Sequence, residues 1–242
     1  MKKERTPKID MSVRRVLDRW SFSSWSQAQK CMFAFYCKYV LNMKETTQSP
    51  ALQRGNDMHK KAELYLKDET DKLPYDFRSL KKHYAQLKKL DPVVERFWGV
   101  DKRFRPVDFK SWIVVKMDAA VEPNANKDIG NILLMQDLKT GKEYDIHRRQ
   151  ADLSVAVGFA MYPDIDGAEF EFWYSDANIQ PITSFKYSRK KLRSLMEFWL
   201  EEGTELVQPK KQYLPSPSPD GCRYCFLRTD RGGPCASWKG VA

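Results

Sequence analysis

Ile132-Leu133-Leu134-Met135-Gln136-Asp137-Leu138-Lys139-Thr140-Gly141 is the stretch whose reading decides the fold. A short apolar run ends on an acidic residue and a lysine two positions apart. On a β-strand these two side chains point the same way, because side chains alternate with period two. Nineteen residues before Asp137, Asp118 ends a second run, Ile113-Val114-Val115-Lys116-Met117. Two neighbouring strands can therefore deliver Asp118, Asp137 and Lys139 to one point. Paired carboxylates hold a hard divalent cation. Such a cation activates water and neutralises phosphate charge, and a lysine beside it stabilises added negative charge. That set suits metal-dependent phosphodiester hydrolysis. Taken alone, Asp137 and Lys139 also fit a solvated strand end before a Thr-Gly turn.

The flanking segments add to the first reading. Gly55-Asn56-Asp57-Met58-His59 runs into Lys60-Lys61-Ala62-Glu63-Leu64-Tyr65-Leu66, whose Ala62, Tyr65 and Leu66 have helical spacing. His59 then lies one turn after Gly55 on the same face, and the glycine lets a backbone or a phosphate approach the imidazole. Downstream, His147-Arg148-Arg149-Gln150 opens the apolar stretch Ala151 to Ala160, which reads as a helix beside the strands. Arginines suit phosphate as bidentate donors, so Arg148 and Arg149 are nucleic-acid-binding candidates. His59 and Gln150 taken singly fit a surface histidine and a polar helix start as well.

The chain of 242 residues carries a formal net charge of +10. A basic balance fits a polyanionic partner, because neutralised phosphates release counterions. The charge is local: Lys81-Lys82, Lys88-Lys89, Lys102-Arg103, Arg148-Arg149, Arg189-Lys190-Lys191 and Lys210-Lys211 recur along the sequence. Lys190 and Lys191 join the binding candidates. Tyr84, Phe104, Trp112, Tyr187 and Phe198 lie near these clusters, and single-strand binders pair a basic groove with stacking rings. Mean hydropathy is −0.64 and no apolar stretch approaches membrane-spanning length. The start, Met1 to Lys8, is not followed by an apolar segment of signal-peptide type. A soluble protein of a reducing compartment, the cytoplasm, is expected, without membrane contact.

The pattern predicts an α/β fold, a mixed sheet flanked by helices. Helices are expected near 24–41, after a Thr/Gln/Ser/Pro linker (Thr46 to Pro50), near 76–90 ahead of Asp91-Pro92, from His147, and near 188–206. Strands are expected near 94–105, 111–122, 131–138, 168–175 and 180–186, with a hairpin at Glu122-Pro123-Asn124-Ala125-Asn126. Residues 1–19 read as a flexible polar arm, 20–206 as the main domain, and 207–242 as a loop-rich tail.

Taken in order, the pieces resemble the PD-(D/E)XK nuclease superfamily, specifically its RecB-like and Cas4-like branch. Those pieces are Ser21-Phe22-Ser23-Ser24-Trp25, Lys30-Cys31 before an aromatic helix, Gly55-x-x-x-His59, Asp118, Asp137-Leu138-Lys139-Thr140-Gly141 and Gln150. The resemblance spans roughly residues 20 to 235. It implies a restriction-endonuclease-like core and cleavage of DNA, single-stranded or at duplex ends, by an exonuclease or single-strand endonuclease of repair, recombination or replication. It implies one or two Mg²⁺ or Mn²⁺ ions held by His59, Asp118, Asp137 and the Leu138 carbonyl, with Lys139 catalytic and Gln150 beside it. It places the chain in the cytoplasm of a bacterium or of a virus-infected host cell, alongside recombination or replication proteins. Ser154 stands where the family often has a tyrosine. Two other readings stay open: a non-catalytic DNA-binding protein on the same scaffold, and a zinc-stapled interaction module.

Five cysteines remain: Cys31, Cys37, Cys222, Cys225 and Cys235. Cys222-x-x-Cys225 has the reach for one metal or one cluster, Cys235 is a third candidate and Cys31 a fourth. Within the resemblance this is the layout of an iron–sulfur staple, a [4Fe-4S] cluster tying the tail to the first helix. Zn²⁺ would use the same four thiolates, and free thiols are the remaining alternative. The Cys225 to Cys235 gap is longer than the family's usual one and contains Gly232-Gly233-Pro234, which could loop back. Cys37 reads as core.

Overall fold

The structure, a computed structural model, describes residues 17–45, 49–124 and 130–238. The hairpin expected at 122–126 and the linker at 46–50 fall partly outside these residues, and most of the N-terminal arm does so. The chain divides into two compact units, Gln48–Glu201 and the pair of segments Met1–Thr47 and Glu202–Ala242.

In the second of these units, helix α1 spans Phe22–Lys30. The Ser24 hydroxyl accepts the Ser21 N–H and donates to the Ser21 carbonyl, closing the first turn. The sequence predicts one helix to residue 41, but the chain breaks at Cys31. Cys31 is extended (φ −164°, ψ 110°), and its N–H closes α1 on the Gln27 carbonyl. Helix α2, Met32–Phe35, restarts at once and widens into a π-turn over Tyr36–Val40, where the Leu41 N–H reaches back five residues to Tyr36. The break leaves Cys31 extended between two helices, which uninterrupted periodicity would not do.

In the unit Gln48–Glu201, helix α3 (Pro50–Leu66) is started by Ser49, whose hydroxyl accepts the Leu52 N–H, and by Pro50 in the first turn. The expected basic helix forms as a 3₁₀ turn, Tyr75–Phe77, followed by α4, Lys81–Lys89. Strands β1 (Val93–Val100), β2 (Ile113–Val121), β3 (Ile132–Lys139), β4 (Gly167–Tyr174) and β5 (Ile182–Ser188) form one mixed sheet in sequential order. Only β3 and β4 are parallel. A parallel step needs a crossover, and α5 (Ile146–Met161) supplies it. Helix α6 covers Leu192–Val207. In the other unit, α7 covers Pro219–Cys222.

Alternation along β3 sets the two faces of the sheet. Leu138 is buried with Met58, Ala62 and Leu66 of α3 and Tyr84 and Leu87 of α4, and Leu134 packs against that cluster. Leu133 and Met135 point the other way, against α5. A Cβ built on Gly158 of α5 would lie 2.7 Å from the Leu133 Cδ2. Only a residue without a side chain allows that approach. Sequence order thus places α3 on one face of β3 and α5 on the other, and the two helices bring His59 and Gln150 to the end of the same strand.

Candidate active site and cysteine centre

The site lies where β2 and β3 part. Their ladder runs through Val121↔Leu134, Ala120↔Met135 and Ala119↔Gln136 and stops there. The next rung would set Asp118 against Asp137. Instead, the Asp118 carboxylate takes the place of a backbone acceptor: its Oδ2 receives the Leu138 N–H at 2.7 Å. The same oxygen is 3.0 Å from the His59 Nδ1 of α3. Burial, together with the nearby Asp137 carboxylate, raises the Asp118 carboxyl above the usual range despite His59. Burial acts to lower the His59 imidazole, but the hydrogen bond and charge of Asp118 outweigh it and leave the imidazole raised.

Asp137 is only 6% exposed. Its Oδ2 meets the Lys139 ammonium at 2.6 Å, and its Oδ1 accepts the Gln150 amide N–H at 2.7 Å. The Lys139 ammonium also donates to the Gln150 Oε1 at 3.0 Å. Carboxylate, ammonium and amide thus close a three-membered ring, with Gln150 fixing both ends. The Lys139 ammonium sits 5.3 Å from the centre of the Phe172 ring. His59, Asp118, Asp137, Lys139 and Gln150 are all brought together. Gly55 of α3 faces Thr140, whose hydroxyl would lie 3.5 Å from a Cβ there, an ordinary contact distance.

Two features escaped the sequence reading. One is Glu95 on β1: single ligand atoms of His59, Glu95 and Asp118 all lie within 4.8 Å of one another, the only such group of three among the described residues. The other is Arg54, whose guanidinium pairs with both Asp176 oxygens and reaches the Thr140 carbonyl at 3.4 Å. It ties the start of α3 to the ends of β3 and β4.

The basic candidates separate. Arg148 and Arg149 are exposed in the first turn of α5, beside Gln150, over the rings of Phe185 and Phe198 at 5.2 and 4.6 Å. Lys190 and Lys191 are exposed in a short turn whose Arg189 donates to the Phe159 and Tyr162 carbonyls. That is the far end of α5, on the order of 15 Å from Gln150 by helical rise.

In the other unit, Cys31, Cys222, Cys225 and Cys235 line one cavity. The Ser216 and Ser218 N–H groups approach the Cys31 and Cys222 sulfurs at 3.4 Å each. Thiolates bound to metal take such bonds. Ring and apolar contacts fasten the tail: Tyr213 stacks on Tyr36 at 4.1 Å, and Leu227 is buried against Ala34 and Cys37. The long Cys225 to Cys235 gap folds back so tightly that a Cβ on Gly233 would lie 2.2 Å from the Leu227 carbonyl carbon. The Cys235 N–H bonds the Leu227 carbonyl at 2.7 Å. Burial, then the neighbouring Cys235, Cys31 and Cys225, push the buried Cys37 thiol up to about 12.

No curated protein sequence matches the chain. Among solved structures, an exonuclease candidate from Eubacterium rectale matches with 12% identity and a TM-score of 0.45, over 84% of this chain and 91% of that one. The protein SSO0001 matches with 11% identity and a TM-score of 0.46, over 90% and 87%. The sequence model of one family spans the helix of His59, the split strands carrying Asp118 and Asp137, and the helix of Gln150: matching residues 19–229, it shows that this chain belongs to the PD-(D/E)XK nuclease superfamily.

Proposed function

We propose that the chain is a Mg²⁺- or Mn²⁺-dependent deoxyribonuclease of the RecB-like and Cas4-like branch, with an iron–sulfur staple in its cysteine-bearing unit. The observation that carries the reading is the approach of two carboxylates, buried Asp137 and half-buried Asp118, with only Asp137 paired to a lysine. Burial and the nearby Asp137 raise the Asp118 carboxyl, and imidazole plus carboxylate oxygen is a donor set that divalent cations accept. His59, Asp118, Asp137 and the Leu138 carbonyl would hold one or two ions. When bound, the cation supplies a Lewis acid and lowers the pKa of water.

The chain's own groups do the rest. Gln150 holds Lys139 and Asp137 in fixed relation, so the ammonium is already oriented when a phosphate arrives. Lys139 offsets charge building on the phosphate during attack. Arg148 and Arg149 extend from the same helix end toward the flanking phosphates of DNA. Net charge of +10 favours encounter with that polyanion.

For the cysteines, the cavity shared by Cys31, Cys222, Cys225 and Cys235 supports a single metal centre, and the resemblance puts a [4Fe-4S] cluster ahead of zinc.

The test uses end-labelled single- and double-stranded DNA with EDTA, Mg²⁺ or Mn²⁺, comparing the natural chain with Asp137→Asn. Cleavage is expected only with cation and only in the natural chain. Cleavage in EDTA, or Asp137→Asn cutting at the natural rate, overturns the reading. Binding without cleavage in any cation would mark a non-catalytic DNA-binding protein.

A further inference from the structure

We infer that Glu95 is a further ligand of the divalent-cation site, forming with His59 and Asp118 a set of three; this rests on the metal-dependent reading above. Strand register carries the argument. In β1 and β2 the pairs Val94↔Ala119 and Arg96↔Met117 flank Glu95 and Asp118 and set them opposite each other. The β2–β3 ladder ends at Ala119↔Gln136, one position short of Asp118 and Asp137, so continuing its register brings these two side by side. Three acidic residues therefore stand in one row across three adjacent strands, with Asp118 in the middle.

A bare row of acids would be only a cluster of like charge. Here an imidazole from a different element, His59 of α3, converges on the same point, within 4.8 Å of both the Glu95 and Asp118 ligand atoms. Glu95 also has φ +57°, a left-handed backbone within an otherwise regular strand. Its carboxylate pairs with the ammonium of Lys116, two residues before Asp118 on β2. The side chain that Glu95 presents is thus already neutralised by a cation, and an exposed lysine is a partner that a divalent ion can displace. Imidazole nitrogen and carboxylate oxygen from Asp118 and Glu95 make a mixed set that Mn²⁺ accepts readily.

Equilibrium binding of Mn²⁺ to the full chain, read from the paramagnetic signal of free Mn²⁺, tests this without reference to cleavage. Glu95→Gln should weaken binding about tenfold or more. Glu95→Gly, which suits the left-handed backbone, should weaken it equally and secures the result should the glutamine variant fold poorly. Lys116→Met should bind as tightly as the natural chain or more tightly. Glu143→Gln, a carboxylate outside the row, should change affinity by no more than about twofold. Glu95 variants that bind like the natural chain, while Asp118→Asn binds weakly, overturn the role of Glu95 and leave the metal site standing. An equal loss in Glu143→Gln overturns it too, since a general field would then account for the effect. If the natural chain binds no Mn²⁺, the metal-dependent reading itself falls, and the inference with it.

Discussion

Lys139→Ala should destabilise the metal-free protein, a loss that Mn²⁺ partly restores. Asp137 is 6% exposed, and its Oδ2 faces the Lys139 ammonium at 2.6 Å. Removing one partner from a buried ion pair costs about 3–5 kcal/mol, because a charge is left uncompensated. Two features reduce that here. Gln150 still donates to the other oxygen, and the lysine side chain is 24% exposed, so water can enter. The opposed Asp118 works against this relief. A net loss of about 2–3 kcal/mol follows, which shifts a urea midpoint by about 1 M at the slope of a domain this size. The assay is urea unfolding followed by tryptophan fluorescence, first in EDTA and then in Mn²⁺. At 100 times its dissociation constant a ligand adds about 2.7 kcal/mol, so the gap should narrow if the cation replaces the missing charge. Asp137→Ala combined with Lys139→Ala should be more stable than Lys139→Ala alone. Cleavage by Lys139→Ala should fall by about 10²–10³ even in Mn²⁺. A Lys139→Ala midpoint equal to the natural one in EDTA would refute the account of the ring.

Further outcomes follow from other parts of the chain. Burial raises the Glu171 carboxyl, although the Trp173 indole donates to it at 2.8 Å. A folded value above the unfolded one means stability is lost as pH rises past the ordinary glutamate range near about 4.3; Glu171→Gln should therefore gain in urea midpoint over the natural chain at neutral pH and gain little in acid. Lys190→Glu with Lys191→Glu should weaken DNA binding and lower its salt slope by about 1 per lost phosphate contact, with turnover at saturating DNA unchanged. Equal salt slopes would remove those lysines from the DNA path. Cys225→Ala should yield colourless protein without iron and sulfide, cut by protease between residues 207 and 238, whereas a brown, protease-resistant variant would refute the staple.

The expectation of a mixed sheet flanked by helices was legible because one strand carries both the apolar run and the chemistry. Asp137 and Lys139 share a face by period two. Asp118 ends a second apolar run, so two short-range patterns met at one place. Gln150 stood out only through the resemblance, since its place at the mouth of an apolar helix fits a polar helix start as well. The Cys31 break was not legible: Trp25, Ala28, Phe35 and Tyr36 keep helical spacing on both sides of it, and the partner of the Cys31 sulfur, the Ser216 N–H, lies 185 positions away in sequence. Lys190 and Lys191 illustrate a different limit. A run of charge states that a polyanion would be attracted, but distance from the chemistry depends on which end of α5 the run docks against, and the Arg189 bonds decide that.

Glu95 shows why a site can be half visible. Its residue type and place in an apolar strand were plain, but its meaning depends on which residue of β2 it faces. Reading the first strand as 94–105 and the second as 111–122, and pairing their near ends, would set Glu95 against Val121. In the structure β1 ends at Val100, because Asp101 turns the chain, accepting the Arg103 and Arg105 N–H groups at 2.8 and 3.0 Å and pairing with the Arg105 guanidinium at 2.6 Å. The strand is shorter, the connection longer, and the register differs by three. An odd slip moves a side chain to the other face of a sheet. Strand ends are the least certain part of a sequence reading, and here a five-residue error at one end was enough to separate a carboxylate from the row it belongs to. Asp118 and Asp137 escaped the same fate because each ends its own apolar run, so their alignment needed no count through a loop.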